Sequence, residues 1–499
     1  MAPPLIARAV GATPLTPLSP PDFRAWLSKQ KARVKSWVAE NGFSAKPNEI
    51  CLIPRQAGPG RAGGIERALV GYNADDAHWA FAALPGALPP GIYRLDGDAP
   101  ARLATPLALG WDLGTYRFAR YSKKKSKPPA SLVWPAGVER AAIGRTVEAI
   151  FLVRDLINTP ASDMGPAQLA EAAAGLAKRF AAHCEIIEGD ALLARNYPLI
   201  HAVGRASAKG PRGSARDRQP RLVDLRWGRE GALKVTLIGK GVCFDSGGLN
   251  LKTEAGMKLM KKDMGGAAHV LGLALMIMDA KLDVRLRVLI PAVENSVSAE
   301  SMRPLDVVKS RKGLTVEIGN TDAEGRLILA DALTEASREK PAILIDCATL
   351  TGAARAALGP DLPALFCNDE ALAADILRLA VQVTDPVWRL PLWFPYCDGL
   401  ESSVADISSI SESPHGGAIT AALFLSEFVE KGTPWAHFDI MAWNVSSRPG
   451  RPKGGEAMGL RALFALIAER AAGSPVEGSS PVKSARMPTR RLRRKRRRR

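Results

Sequence analysis

Between residues 164 and 472, short apolar runs alternate with longer segments of helical periodicity. This alternation predicts an α/β fold with a mixed, largely parallel sheet that is covered by helices on both faces. In such sheets the functional groups gather beyond the carboxyl ends of the strands. We place strands at 234–239, 285–294, 314–319, 342–350 and 435–442, and helices between them at 266–280, 326–339 and 418–431.

The remaining sequence divides into three further parts. Residues 1–136 are rich in Pro and Gly and predict a smaller N-terminal α/β domain without an evident site. Residues 137–160 have helical periodicity that ends at Thr159–Pro160, which predicts a connecting helix. The main domain then spans residues 161–473. Residues 474–499 carry eleven Lys or Arg against one Glu, and so many like charges predict a disordered basic tail.

The composition limits the kind of protein. The net charge of +18 suggests nucleic-acid binding. However, residues 474–499 alone carry +10 of this charge, so the rest of the chain is only mildly basic. The six cysteines show no CxxC spacing, which argues against a structural zinc site or a redox motif. No apolar stretch reaches the ~18 residues needed to cross a bilayer, and the N-terminus lacks the pattern of a secretory signal. We therefore expect a cytoplasmic protein with no membrane partner.

Charged residues interrupt the apolar segments between residues 239 and 326. Buried carboxylates are costly without a partner, and four carboxylates mixed with two lysines and an arginine fit hard metal ions better than simple ion pairs. Three predicted strand ends lead into this group, so we expect it to share one edge of the sheet. Its members are Lys240, Asp245, Lys252, Asp263, Asp322, Glu324 and Arg326.

Five of the seven members also have an ordinary structural interpretation. Asp263 could cap a helix, Lys240 could be exposed at a strand end, and Arg326 could lie on a solvated helix face. Asp322 and Glu324 could complement a helix dipole, or could turn toward one ion from alternate positions of an extended loop. It is improbable that all seven hold together on one edge by chance, so the group is more specific than any member.

The motifs that contain these residues resemble the leucyl aminopeptidase family of two-metal exopeptidases. The resemblance runs through VRDLINTPASDM (153–164), GKGVCFDSGGLNLK (239–252), DMGGAA (263–268), NTDAEGRLILADAL (320–333), DCATLTGA (346–353) and GGAITAALFLSEFV (416–429). It implies that Asp245 and Glu324 bridge two divalent ions. It also implies that Lys240 and Asp263 complete the shell of one ion and that Asp322 completes the shell of the other.

The resemblance implies further roles. Lys252 and Arg326 become catalytic groups that do not bind metal, and Arg326 holds a bicarbonate that shuttles a proton. The substrate cleft is lined by Met260, Thr349, Leu350 and Gly352. The expected ions are Mn²⁺ or Zn²⁺, with Mg²⁺ or Co²⁺ as alternatives. The expected reaction removes an N-terminal residue, with apolar residues such as Leu favoured, by attack of a water that bridges the ions. The expected assembly is a homo-hexamer.

Three histidines, the segment at 457–458 and the basic tail carry further predictions. His269 and His437 lie in apolar segments and predict buried core histidines, whereas His415 is a candidate for the cleft rim. Ala457 and Met458 are candidates for the side-chain pocket. A nucleic-acid-binding or regulatory protein that uses the arginine-rich tail is the alternative function. A two-metal phosphoesterase fits the carboxylates but explains neither Lys240 nor the long match.

Overall fold

The computed structural model describes residues 4–56, 64–73, 77–97, 99–124, 127–208 and 217–473. The basic tail 474–499 lies outside these residues, so its predicted disorder stays a prediction. None of the helices within the described ranges is both long and apolar enough to cross a membrane.

The N-terminal part contains a six-stranded sheet with the order β1-β6-β5-β2-β4-β3. Its strands β3 and β4 pair antiparallel, and the other neighbours pair parallel. The strands are β1 (Leu5–Ile6), β2 (Thr13–Leu18), β3 (Ile50–Pro54), β4 (Ile65–Gly71), β5 (Ile92–Leu95) and β6 (Ser131–Val133). The α-helices of this part are Pro20–Ser28, Ala32–Glu40, Ala77–Ala80, Leu84–Ala87 and Ala104–Leu113.

The main domain is built on a nine-stranded mixed sheet. Its order is β16-β15-β18-β14-β9-β11-β8-β7, and β10 pairs with β11. The central pairs of β9 with β11 and β14, and of β14 with β18, are parallel. The strands are β7 (His183–Glu188), β8 (Arg221–Gly228), β9 (Leu233–Gly239), β10 (Gly241–Asp245), β11 (Val284–Asn295), β14 (Ile343–Ala348), β15 (Ala364–Cys367), β16 (Trp388–Arg389) and β18 (Trp435–Asp439).

Helices cover both faces of this sheet because its central strands are apolar on both sides. In β14, Ile345 and Cys347 pack into one core and Leu344 packs into the core on the opposite face. The first face is covered by helices Arg140–Asn158, Pro166–Arg179, Gly265–Asp279, Glu370–Gln382 and Leu460–Ala471. The second face is covered by helices Pro198–Gly204, Glu324–Arg338 and Gly417–Ser426; the shorter helices are Ala191–Ala194, Glu254–Met257 and Gly352–Leu358. The predicted fold class is confirmed.

One predicted strand does not lie in the main sheet. The segment predicted at 314–319 forms only β13 (Thr315–Glu317), which lies outside the main sheet. It pairs with β12 (Val307–Lys309) and β17 (Ile407–Ser408) in a three-stranded sheet. The physical reason is visible in the segment: only alternate residues are apolar, so it buries one face, whereas the central strands bury two. A two-stranded pair, β19 (Trp443–Asn444) and β20 (Gly454–Gly455), completes the strands described.

Helix Arg140–Asn158 joins the two parts. Its Arg154 is completely buried and donates two hydrogen bonds to the carboxylate of Glu456. The distance from Nε to Oε1 is 3.0 Å, and the distance from Nη2 to Oε2 is 3.1 Å. The same guanidinium donates to the Gly450 carbonyl over 2.7 Å. The helix also packs closely on helix Gly265–Asp279, where a Cβ added to Gly272 would lie 2.7 Å from Val153 Cγ2. This helix is therefore anchored to the main domain by packing and by a buried ion pair.

Candidate active site

The eleven site residues predicted from the sequence line one cavity of about 740 Å³. The cavity lies beyond the carboxyl ends of β9, β10 and β14, as expected for a parallel sheet. It is lined by Lys240, Asp245, Lys252, Met260, Asp263, Asp322, Glu324, Arg326, Thr349, Leu350 and Gly352, together with further residues. The structure thus brings together every residue of the predicted set.

Lys240 directly follows β9 and is buried among carboxylates. Its Nζ lies 2.8 Å from Asp263 Oδ2 and 2.9 Å from Glu324 Oε1. It also donates to the Thr349 carbonyl over 2.9 Å. The side chain is 3% exposed, so the alternative of an exposed lysine at a strand end is wrong.

A second lysine occupies the other side of the carboxylate group. Lys252 Nζ lies 2.8 Å from Asp245 Oδ2 and also contacts Asp322 Oδ1. Asp245 ends β10 and accepts hydrogen bonds at Oδ1 from the Gly247 amide and from Asn295 Nδ2. Asn295 ends β11 and was missed in the sequence, although a polar residue at the end of a long apolar strand is a signal for this edge.

The local geometry around three carboxylates differs from the predictions. Asp322 lies in a 3₁₀ turn, Thr321–Ala323, and Glu324 begins helix Glu324–Arg338, so the predicted extended loop is wrong. Asp263 lies in the 3₁₀ helix Met260–Met264 and accepts a 2.7 Å hydrogen bond from Thr349 Oγ1. Asp263 therefore does not act as the cap of helix Gly265–Asp279. Short turns can direct the carboxylates inward because the helix that follows fixes their position.

Glycines make room for the lysines and carboxylates. A Cβ at position 325 would lie 2.7 Å from both Cε and Nζ of Lys240. Gly247 has φ +90°, and a Cβ there would lie 2.4 Å from the Asn250 carbonyl oxygen and 3.2 Å from Asp322 Oδ1. Larger residues would therefore force the loop or the lysine to move. Gly325 was not among the residues predicted from the sequence.

The buried carboxylates repel one another. Burial and the charge of Asp263 raise the pKa of Asp245 to about 6. Burial and the charge of Asp245 also raise the pKa of Glu324 well above its ordinary value. For Lys240, burial lowers the pKa, but the charges of Asp263 and Glu324 outweigh burial and raise it overall. Two ammonium groups therefore compensate the carboxylates only in part, and additional positive charge would stabilise their ionised forms.

The donor set fits divalent cations. One carboxylate oxygen from each of Asp245, Asp322 and Glu324 lies within 4.8 Å of the other two. Lys240 contacts both Glu324 and Asp263. Asp263 could supply a further oxygen, and Lys240, once deprotonated, a nitrogen. Oxygen-rich ligation with one amine suits Zn²⁺, Mn²⁺, Mg²⁺ or Co²⁺. The residues therefore fit the divalent metals that the resemblance implies.

Arg326 faces the same cavity from helix Glu324–Arg338. It is 9% exposed, so the alternative of a solvated helix-face residue is wrong. Its Nη1 donates to the Ser409 carbonyl over 2.7 Å, which holds the guanidinium in place. Burial lowers the pKa of Arg326 to about 10, so the side chain stays charged at neutral pH.

The loop that carries the predicted cleft residues is held by a carboxylate that the sequence analysis missed. Asp439 ends β18 and accepts hydrogen bonds from the backbone amides of Leu350 and Thr351 and from Thr351 Oγ1. Two cations of the cavity wall, Lys262 and Arg355, were also missed. Burial lowers the pKa of Lys262 to about 8.

The histidines behave as predicted for core residues. His269 is buried with its two ring nitrogens against the Gly265 carbonyl and the Met458 amide, and His437 is buried 2.6 Å from Asp346 Oδ1. His415 is exposed, and its role at the rim stays a prediction. Ala457 and Met458 line a separate cavity of about 180 Å³ beside Trp79, so their expected place in the side-chain pocket is wrong.

Two family models match the chain. The catalytic domain of the cytosol aminopeptidase family matches residues 151–464. The N-terminal domain of M17 aminopeptidases matches residues 13–135, where the sequence analysis had found no distinctive motif.

Individual relatives agree with these models. A probable cytosol aminopeptidase of Geotalea uraniireducens is 37% identical over 418 residues, which cover 79% of this chain and 82% of that protein. The crystal structure of a cytosol aminopeptidase from Coxiella burnetii is 48% identical, covers 94% of this chain and 99% of its own, and has a TM-score of 0.87. The structure of the bottromycin maturation enzyme BotP in complex with Mn is 34% identical and has a TM-score of 0.79. The match covers 93% of this chain and 100% of that protein. Together with the carboxylate cavity, these matches show that the chain belongs to the cytosol aminopeptidase family of metal-dependent peptidases.

Proposed function

We propose that this protein hydrolyses the N-terminal residue of peptides at a pair of divalent ions held in the carboxylate cavity. The observation that carries the proposal is the approach of Asp245, Asp322 and Glu324 to within 4.8 Å, with Lys240 between Glu324 and Asp263. Such a group of acidic oxygens beside a lysine nitrogen gives ligands for more than one ion.

The roles of the ligands follow the resemblance. Asp245, Glu324, Lys240, Asp263 and Asp322 would together hold the two ions. The Mn complex of BotP, a 34% identical structure, supports Mn²⁺ as one metal to test, and Zn²⁺, Mg²⁺ and Co²⁺ are the others. Lys240 must lose its proton to bind a metal, and a nearby dication lowers its pKa for that purpose.

Lys252 and Arg326 supply the remaining chemistry. When bound, the ions would lower the pKa of a water and polarise the scissile carbonyl. We assign to the ammonium of Lys252 the donation of a hydrogen bond to the developing oxyanion. All four carboxylates are assigned as ligands, so the proton of the attacking water needs another acceptor. A bicarbonate held by the Arg326 guanidinium would serve as that acceptor.

The cavity wall supports acceptance of apolar N-terminal residues. Leu259, Met260, Leu362, Ile440 and Met441 line it. Their surface is suited to a side chain such as that of Leu, which would lose contact with water on binding. Capture of the free α-amino group by one ion would limit cleavage to the first residue.

The wider proposals concern organisation. We propose the domain division 1–136, 137–160 and 161–473, a homo-hexameric assembly and a cytoplasmic location. The comparisons give no support to the nucleic-acid alternative, whose residues 474–499 lie outside those described.

The test is hydrolysis of Leu-amide and of N-acetyl-Leu-amide by the purified full-length protein. We expect turnover of the first substrate alone, because the acetyl group removes the free amine. Treatment with a chelator should abolish turnover, and added Mn²⁺ or Zn²⁺ should restore it.

A matched variant links this result to the cavity. Asp322→Asn keeps the size of the side chain but removes one charged ligand, so metal content per subunit should fall together with activity. Full metal content in this variant, or hydrolysis of the acetylated substrate at the rate of the free one, would overturn the proposal.

A further inference from the structure

Two cations in the wall of the active-site cavity have no part in the metal cluster. Lys262 lies in the 3₁₀ helix Met260–Met264, and Arg355 lies in helix Gly352–Leu358. Both line the cavity that contains the carboxylates. They come from segments that also supply predicted cleft residues, Met260 and Gly352, so they adjoin the space that a substrate would occupy.

Neither cation has an acidic partner of its own. In the described part of the chain, no carboxylate forms an ion pair with Lys262 or Arg355. The two nearby carboxylates are engaged elsewhere: Asp263 contacts Lys240 and Thr349, and Asp439 accepts three hydrogen bonds from residues 350 and 351. Lys262 is nevertheless only 5% exposed. The charges of Asp263 and Asp439 act on Lys262 through space, but neither carboxylate forms an ion pair with it. A buried ammonium without an ion-pair partner is unfavourable, so its place in a cavity wall points to a ligand that supplies a closer negative charge.

Arg355 is an exposed residue of the cavity wall. Its Nη1 is 3.5 Å from Met441 Sδ. Its Nη2 would be 3.6 Å from a Cβ added to Gly352. Among the described residues the guanidinium has no other hydrogen-bond partner, so its remaining donors are available to a ligand. A guanidinium fork recognises a carboxylate by two parallel hydrogen bonds.

We propose that Lys262 and Arg355 bind a carboxylate of the substrate, so that peptides bearing this charge next to the scissile bond are preferred over their uncharged isosteres. The inference rests on the proposed function and adds a substrate class to it. The apolar wall would hold the aliphatic part of a residue such as Glu, and the two cations would hold its charged end. A free C-terminal carboxylate of a dipeptide offers the same chemistry.

The experiment separates the two sources of the carboxylate. One arm compares kcat/KM for Glu-amide and Gln-amide, which differ in side-chain charge and have no C-terminal carboxylate. The other arm compares Leu-Gly with Leu-Gly-amide, which differ only at the C-terminus. Each ratio is measured for the wild type, Lys262→Met, Arg355→Met and the control Lys258→Met. Lys258 is an exposed lysine four residues before Lys262, so its replacement removes the same charge away from the cavity wall.

We expect one of the two ratios to favour the charged substrate in the wild type. Lys262→Met or Arg355→Met should lower that ratio on the order of tenfold to a hundredfold, the effect of losing one charge-assisted hydrogen bond. Lys258→Met should leave the ratio near that of the wild type. A shift of the Glu/Gln ratio assigns the cations to the N-terminal side chain, and a shift of the Leu-Gly ratio assigns them to the C-terminus. If neither ratio changes in either variant, the proposal is overturned.

A binding measurement keeps this test independent of turnover. The rise in melting temperature caused by L-glutamate is compared with that caused by L-glutamine, for the metal-loaded wild type and both variants. A larger rise with glutamate that disappears in the variants supports the carboxylate site even if the amides are not hydrolysed. If glutamate and glutamine raise the melting temperature equally in all three proteins and the kcat/KM ratios are unchanged, the carboxylate site is contradicted. The proposed peptidase activity would not be affected, because the Leu-amide experiment tests it separately.

Discussion

The substitution Gly325→Ala tests whether the position of Lys240 depends on an absent side chain. Gly325 is the second residue of helix Glu324–Arg338 and is buried. An added Cβ would lie 2.7 Å from Lys240 Cε and Nζ and 2.8 Å from Cδ. These distances are too short for carbon contacts, so either the lysine or the start of the helix must move.

The size of the effect follows from the partners of Lys240. If the ammonium is displaced, it leaves Asp263, Glu324 and the Thr349 carbonyl, all of which are buried. Breaking a buried ion pair costs ~3–5 kcal/mol, whereas replacing Gly by Ala inside a helix gains at most ~1 kcal/mol. We therefore expect the free energy of unfolding to fall by ~2–4 kcal/mol.

The assay is urea denaturation of the chelator-treated protein, followed by circular dichroism, with metal content measured on the untreated protein. Gly144→Ala is the matched control, because Gly144 lies within helix Arg140–Asn158 and an added Cβ meets nothing within 4 Å. The control should be as stable as the wild type or slightly more stable. If Gly325→Ala is also at least as stable as the wild type and keeps its full metal content, the reasoning is refuted.

Three further predictions concern single groups. Lys252→Ala should lower kcat on the order of a hundredfold, the effect of losing one oxyanion donor, with metal content unchanged; full turnover would show that Lys252 is misassigned. Burial lowers the pKa of His269 from 6.5 to about 4, so the wild type should lose up to ~3 kcal/mol of stability between pH 6.5 and 4, because only the unfolded chain takes up the proton there. The His269→Gln variant should not show this loss. If the difference in unfolding free energy between wild type and variant is the same at pH 6.5 and pH 4, the prediction is contradicted. Glu456→Ala should cost ~3–5 kcal/mol because it leaves Arg154 buried and unpaired, whereas Asp283→Ala, which breaks an exposed pair with Arg229, should have a much smaller effect; equal losses would refute the role of burial.

Local patterns were enough to predict the central strands and their helices. The strand predicted at 234–239 forms as Leu233–Gly239, and the helix predicted at 266–280 forms as Gly265–Asp279. These segments are apolar on both sides, and residues of that kind have few stable places other than the middle of a covered sheet. The segment at 314–319 lies outside the main sheet because only its alternate residues are apolar, which indicates a strand buried on one face.

The candidate site was predicted as a set of residues but not as an arrangement. The motif residues were identifiable because carboxylates beside apolar runs are rare without a strong counter-charge. The contacts between these residues were not identifiable from the sequence. For example, the contact between Lys240 and Glu324 joins the end of β9 to the start of a helix 84 residues later in the chain. Asn295, Asp439 and Gly325 were missed for the same reason: each acts on a residue that is distant in sequence.

The amino-acid sequence alone determined the alternation of strands and helices, the residue types of the candidate site and the family to which the chain belongs. Only the tertiary structure decided which strand ends are neighbours, because the order β14-β9-β11 arises from pairing between distant segments. That order places Lys240 among the carboxylates. The tertiary structure also placed Lys262 and Arg355 in one cavity wall, since side chains far apart in the chain share a charge environment only after the sheet has formed.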